Sequence, residues 1–398
     1  MKDNHWLLPE GIDETLPPQA QDLEQLRRKL LDLYSTWGYE LVFPPIIEYL
    51  ESLLTGTGRD LDLQTFKLTD QITGRTLGIR ADMTPQAARI DAHQLRRDCP
   101  TRLCYLGTVL NSRFEGLSGS RSPEQVGAEL YGYSGVEADV EILGLMLASL
   151  EGAGIEGVHL DLGHVGIFRG LTQQAGLDER RELALFDALQ RKAVPELQSL
   201  VKSFELEEGP GRMLVSLAEL SGDNALERAE SKLSEADSEV RESLRELSLL
   251  ADRLRESYPG VPVHYDLAEL RGYHYHTGVT FAAFVPQLGQ EVARGGRYDD
   301  IGRLFGRARP ACGFSADLKV LLRLGKAASG TSDSMIYAPC TGEPQLNQKI
   351  ADLRAQGQRV VQELPGQVGD AMEMGCGQLL VKKGESWVVE PVAQNEIV

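Results

Sequence analysis

The chain has 398 residues, 42% hydrophobic and 25% charged, the balance of an ordinary water-soluble protein with room for two or three domains. Its 59 acidic and 41 basic residues leave a net charge of −18, opposite in sign to what gripping a phosphate backbone needs, so no nucleic-acid partner is expected. No apolar run reaches the ~18 residues of a membrane span. The opening MKDNHWLLPE has neither secretory nor transit character. The five cysteines (Cys99, Cys104, Cys312, Cys340, Cys376) include no C-x-x-C pair. A cytoplasmic protein without a disulfide framework, a cofactor or a cysteine-based metal site is the expectation.

In chain order, Leu23, Leu26, Leu30, Leu33 and Trp37 recur every three or four residues and predict an amphipathic helix from about Gln19 to Trp37. Gly38 ends it, and YELVFPP reads as a short strand stopped by Pro44 and Pro45. Residues 64–69 and 75–80 alternate like the two arms of a hairpin. Thr84-Pro85 then predicts a helix through Arg97, with Thr84 as its N-cap. Residues 102–110 and 124–133 read as strands around NSRFEGLSGSRS, whose Gly and Ser content predicts a mobile loop. A helix over about Glu137–Ala153 and a strand at 157–162 follow.

From about 170 to 257 the pattern is helical and charged, predicting a helical insertion with a solvated face. Strand patterning returns at 261–266 and 277–285 and leads into VARGGRYDDIGRLFG. GKAASGTSDS, residues 325–334, reads as a linker. Beyond it, MIYAP, a helix from Gln345 to Ala355, RVVQEL, QLLVKK and SWVVEP predict a small α/β unit over 334–398.

No Walker loop, strand-flanked G-x-G-x-x-G or G-x-S-x-G elbow occurs. His274 and His276 would share one face of a strand, but two imidazoles without a third ligand do not make a metal site. ARGGRYDD reads either as a tight turn or as two glycines beside Arg294 and Arg297 that admit an anion to the backbone.

The order of the blocks says more than any one of them. WGYELVFPPIIE, TFKLTDQITGRTLGIRADMTPQAAR, RLCYLGTVL with EQVGAELYG, RGYHYHTG, GGRYDDIGRLFG and PACGFSADLKVLL succeed one another along residues 6–325. The succession resembles the catalytic core of class II aminoacyl-tRNA synthetases, histidyl-tRNA synthetase in particular. The resemblance implies an α+β fold: an antiparallel sheet flanked by helices over 1–325, interrupted by the helical insertion at about 170–257, with the small C-terminal domain at 334–398. It also implies that the first helix and strand form a dimer interface.

Measured against that family, the nucleotide positions are altered. Asn111 stands where the second motif carries an arginine for the ATP α-phosphate, and Lys319 and Val320 replace the Glu-Arg pair of the third motif. Each lost arginine removes a bidentate, charge-assisted phosphate contact. The amino-acid positions are much less altered. By resemblance Asp82 and Thr84 face the substrate ammonium, Gln125 and Glu129 the amino group and imidazole, Arg271 the carboxylate, and Tyr275 the ring. His276 stands in place of a second tyrosine, and Asp82 is one methylene shorter than its counterpart.

A synthetase-like core with this combination resembles the regulatory subunits of ATP phosphoribosyltransferase, most closely through WLLPEGIDE, LESLLTGTGRDLDLQTFKLTDQ, RADMTPQAARIDAH and LDLGHVGIFR. That family implies a non-catalytic chain that partners a short-form catalytic phosphoribosyltransferase subunit and serves the first step of histidine biosynthesis. Histidine would be its effector, and a homodimer within a hetero-octamer its assembly. On the residues alone, an active histidyl-tRNA synthetase and a free-standing histidine-binding protein remain alternatives.

Overall fold

On the helix Gln19–Thr36, Leu26 and Leu30 of the expected leucine stripe are buried together with Tyr34, while Leu23, Leu33 and Trp37 are partly buried. The computed structural model describes residues 6–54, 59–114, 120–273, 275–325 and 335–392. The chain divides into two compact units, Met1–Lys326 and Ala327–Val398.

In the first unit that stripe packs toward a nine-stranded sheet, and Tyr34 meets the edge of Phe314 at 6.3 Å. Six central strands run antiparallel in the spatial order Thr101–Thr108, Glu124–Tyr131, Ala311–Asp317, Ala293–Arg297, Val279–Phe284 and His159–His164. Parallel additions extend both sides: Glu40–Leu41 beside Thr101–Thr108, and Val263–Asp266 beside His159–His164. Strand periodicity then separates two faces. Val126, Ala128 and Leu130 enter the core shared with the helices Gln19–Thr36 and Val136–Gly152. Gln125, Gly127, Glu129 and Tyr131 point the other way. A small antiparallel sheet of Ile47–Tyr49, Thr76–Ile79 and Phe66–Thr69 stands apart from the large one.

Several local expectations change. Thr84 is the first helical residue rather than the cap. Its N–H is capped by Asp82 Oδ1 at 3.0 Å, which leaves its hydroxyl to bond Tyr105 at 2.9 Å. The α-helix covers only Thr84–Arg89 and continues as a π-helix, Ile90–Leu95, ending at Arg96 in a left-handed conformation (φ 50°). Most of ARGGRYDD is strand: Ala293–Arg297 lies inside the sheet, and only Asp299–Asp300 turn. Tyr275 and His276 lie in a turn, not on a strand, because Tyr275 and His276 both donate their backbone N–H to Gly272 O. His274, residues 115–119 of the loop expected to be mobile, and nearly all of the expected linker lie outside the described residues.

The charged stretch is helical from Val165 to Ser257, but it is built into the domain. Leu185, Leu197, Leu214, Leu247 and Leu254 join the same hydrophobic core as the sheet, and Ser221–Gly222 pairs with Val263–Asp266 as a ninth strand.

In the second unit, Val360–Gln362, Met335–Ala338, Cys376–Lys383 and Ser386–Pro391 form a four-stranded sheet. The first two are parallel and are joined through the helix Pro344–Ala355, which buries Leu346 and Ile350 against Ile336, Leu380 and Trp387.

Candidate functional site

Directly opposed residues of antiparallel strands share a face. The register therefore lines up Leu103, Glu129, Gly313, Gly296, Thr280 and Gly163 in one row across the sheet. Between Glu129 and Thr280 the row carries no side chain beyond hydrogen. The result is a bare backbone floor roughly 14 Å long, three strand spacings of ~4.8 Å. Over it lies a cavity of about 680 Å³, lined among others by Asp82, Thr84, Glu129, Arg271, Tyr275 and Tyr298. The bareness is required. A Cβ on Gly313 would fall 1.6 Å from Glu129 Oε2, and one on Gly296 2.7 Å from His276 Nδ1.

At one end the side chains form a continuous hydrogen-bonded wall. Gln125 donates from Nε2 to Asp82 Oδ1 at 2.7 Å and accepts the Met83 N–H at 2.9 Å, which orients its amide. Tyr105 donates to Glu129 Oε1 at 2.8 Å and takes the Thr84 hydroxyl on its other side. Tyr298 donates to Glu129 Oε2. Glu129 is 1% exposed. Burial, reinforced by the charge on Asp82, pushes its carboxyl well above the usual range. The Tyr275 ring packs tilted against Tyr298 with centroids 4.9 Å apart, and its buried hydroxyl has no partner among the described residues. His276 turns Nδ1 toward the Arg297 carbonyl at 3.3 Å, and burial lowers its pKa to about 4, so the ring is neutral.

The other end is charged. Arg271 donates from Nε and Nη2 to Glu269 and from Nη1 to Glu291, with 46% of its side chain exposed. Glu291 also takes Arg294 at 3.2 Å. The unpartnered hydroxyl of Thr280 lies at the end of the bare floor. All six positions expected to meet an amino acid thus surround or support one cavity. Arg271, however, is held by two carboxylates of its own chain.

The three positions expected to have lost nucleotide contacts are placed as follows. Asn111 is buried, and its backbone N–H and C=O bond the carbonyl and Nε of Arg121. Lys319 reaches Asp13 Oδ2 at 3.2 Å and the Ser122 carbonyl at 2.9 Å. Val320 is half-buried on the helix Leu318–Leu324 and offers no donor. Arg121 is committed to the Asn111 and Glu10 carbonyls. Arg113 stands exposed at the cavity mouth. Among the described residues no cluster of His, Cys, Asp and Glu could hold a metal ion.

Tyr105, Tyr298, Thr280, Glu269 and Glu291 were not singled out by the sequence. Alternation places Tyr105 on the same face as Leu103, but only the strand register sets it beside Glu129.

This sheet, its six-stranded antiparallel centre and the bare floor define a class II aminoacyl-tRNA synthetase-like protein. Residues 11–321 match the family model for histidyl-tRNA synthetase, and 333–390 match that for the ATP phosphoribosyltransferase subunit HisZ C-terminal domain. The ATP phosphoribosyltransferase regulatory subunit of Alkalilimnicola ehrlichii is 57% identical over 394 residues, 98% of each chain. That of Pseudomonas aeruginosa is 55% identical over 392 residues, covering 98% of this chain and 99% of its own. A solved structure from Bacillus halodurans, described as an ATP phosphoribosyltransferase regulatory subunit/histidyl-tRNA synthetase, superimposes with a TM-score of 0.82 at 30% identity over 94% of this chain and 97% of its own. The histidyl-tRNA synthetase of Nostoc shares the fold, with a TM-score of 0.75 at 18% identity over 94% of this chain and 91% of its own. The chain belongs to the family of ATP phosphoribosyltransferase regulatory subunits. It is a non-catalytic component of histidine biosynthesis.

Proposed function

We propose that this regulatory subunit binds histidine in the cavity over the bare floor and passes that binding to a short-form catalytic phosphoribosyltransferase. The observation that carries the reading is a contrast within one domain. The amino-acid wall is complete and hydrogen-bonded, while Asn111, Lys319 and Val320 offer no guanidinium to a triphosphate. A pocket that keeps its amino-acid groups without phosphate clamps suits sensing rather than adenylation.

Asp82, oriented by Gln125 and Thr84, supplies the anion for an ammonium group. Tyr275, with its unpartnered hydroxyl, and Glu129, set by two tyrosines, serve the imidazole. Arg271 serves the carboxylate. Histidine controls the partner only if it binds the active and inactive states of the complex unequally. Exposed Leu41, Phe43, Ile46 and Ile47 follow the first helix, and their exposure supports pairing with a second copy, the unit from which a hetero-octamer would be built.

Two measurements test this. Histidine at ~100 times its dissociation constant should stabilise the isolated chain by about 2.7 kcal/mol in thermal unfolding. Product formation by the catalytic subunit should rise when this chain is added and fall again with histidine. A partner rate indifferent to saturating amounts of this chain overturns the proposal.

A further inference from the structure

Each of the three nitrogens of the Arg271 guanidinium already donates to a carboxylate. Glu269 takes Nε on both of its oxygens at 3.1 Å and Nη2 at 2.9 Å, and it accepts the Arg271 backbone N–H at 2.8 Å. Glu291 takes Nη1. A ligand carboxylate arriving at this end of the cavity meets an occupied cation and two like charges. To take the engaged Nη1 hydrogen the ligand must displace the acid that holds it.

The two acids are not equivalent. Glu269 grips Arg271 through side chain and backbone within one tight turn, so displacing it would disturb the turn itself. Glu291 comes from the segment before the strand Ala293–Arg297, bonds the outer Nη1, and has Arg294 at 3.2 Å to keep it neutralised when it leaves. Burial would raise its pKa, but a backbone N–H and the two guanidinium groups hold it below the usual carboxylate range, so at neutral pH the competitor is an anion.

We infer that Glu291 is a specificity-determining residue that competes with the ligand carboxylate for Arg271. Its effect is to lower affinity for histidine relative to imidazole amines without a carboxylate. The inference rests on the reading of the cavity as a histidine site. Its chemistry is a like-charge exchange at one guanidinium, in which a carboxylate-bearing ligand gains Nη1 only as Glu291 swings to Arg294. A carboxylate-free ligand has no use for Nη1 and leaves the pair intact.

The test is calorimetric titration of the full-length chain and its E291Q variant with histidine and with histidinol. Gln keeps the shape and removes the charge. E291Q should bind histidine about tenfold more tightly, while histidinol affinity moves by less than about twofold. The E291A variant should show the same pattern, which guards against a new hydrogen bond from the amide. If histidine binds E291Q and the unmodified chain equally, or if both ligands tighten together, the inference fails while the histidine site stands. If histidine binds neither protein, the cavity reading itself fails.

Discussion

The hydroxyl of Tyr105, on the strand Thr101–Thr108, bridges Thr84 and Glu129, donating to Glu129 Oε1 at 2.8 Å. Gly127 makes this possible, since a Cβ there would fall 2.6 Å from the tyrosine ring. One phenol thus ties the start of the helix Thr84–Arg89 to a buried carboxyl on the strand Glu124–Tyr131. Replacing Tyr105 by Phe should cost about 1–3 kcal/mol of stability, because it leaves Glu129 and Thr84 each short of a partner. Histidine should then raise the melting temperature less. Chemical denaturation of Y105F with and without histidine measures both effects.

Glu129 gives a prediction of definite sign. Its folded carboxyl titrates above its unfolded value, so the native state holds the extra proton in between. Stability from this group is therefore present below the unfolded pKa of about 4.3 and is lost as pH rises toward the folded one. Glu129→Gln, which cannot ionise, escapes that loss. E129Q should gain stability over the unmodified chain from pH 5 to pH 8, and the difference should shrink near pH 4. A pH-independent difference between the two melting curves would show that Glu129 is not perturbed.

The bare floor is tested at Gly313. An added methyl would sit 1.6 Å from Glu129 Oε2, so the carboxyl must move. Gly313→Ala should cost about 1–3 kcal/mol, as overpacking does, and should remove most of the histidine-dependent stabilisation. Unchanged histidine affinity in G313A would mean that Glu129 does not shape the pocket.

On the opposite face of the sheet, Arg297 and Asp139 form an ion pair at 2.7 Å with both side chains less than 9% exposed. Burial raises the Asp139 pKa and the facing guanidinium opposes the rise. Asp139→Ala leaves that buried guanidinium only Asp299 at 3.4 Å and two backbone carbonyls. The expected cost is about 3–5 kcal/mol, read as a lower denaturant midpoint. A loss below about 1 kcal/mol would place the pair among the weak surface bridges.

The nucleotide positions predict an absence of chemistry. The isolated chain should not exchange pyrophosphate with ATP when histidine is present, because Asn111 and Val320 supply no phosphate clamp and Lys319 is engaged with Asp13. Histidine-dependent exchange would restore the synthetase reading.

What the sequence determined by itself was local in origin. The period of three and four in Leu23–Trp37 specified a helix with one buried stripe, and alternation in 102–110 and 124–133 specified strands with two faces. The order of the blocks carried the family, and the reading of 111, 319 and 320 as altered phosphate positions comes from that resemblance alone. Local pattern misled where a long-range partner decided. Thr84 has the residue type of a cap, yet Tyr105, twenty-one residues away, claims its hydroxyl and Asp82 takes over the cap. ARGGRYDD has the composition of a turn, but its glycines are bare because Phe281 and His276 press on them from neighbouring elements. Arg271 has the residue type for a ligand carboxylate, and only the folded chain shows that Glu291, twenty residues on, already holds it. Strand register decided the rest. It sets Glu129, Gly313, Gly296 and Thr280 in one row from four separate strands, and no spacing along the chain encodes which residue of one strand faces which residue of the next.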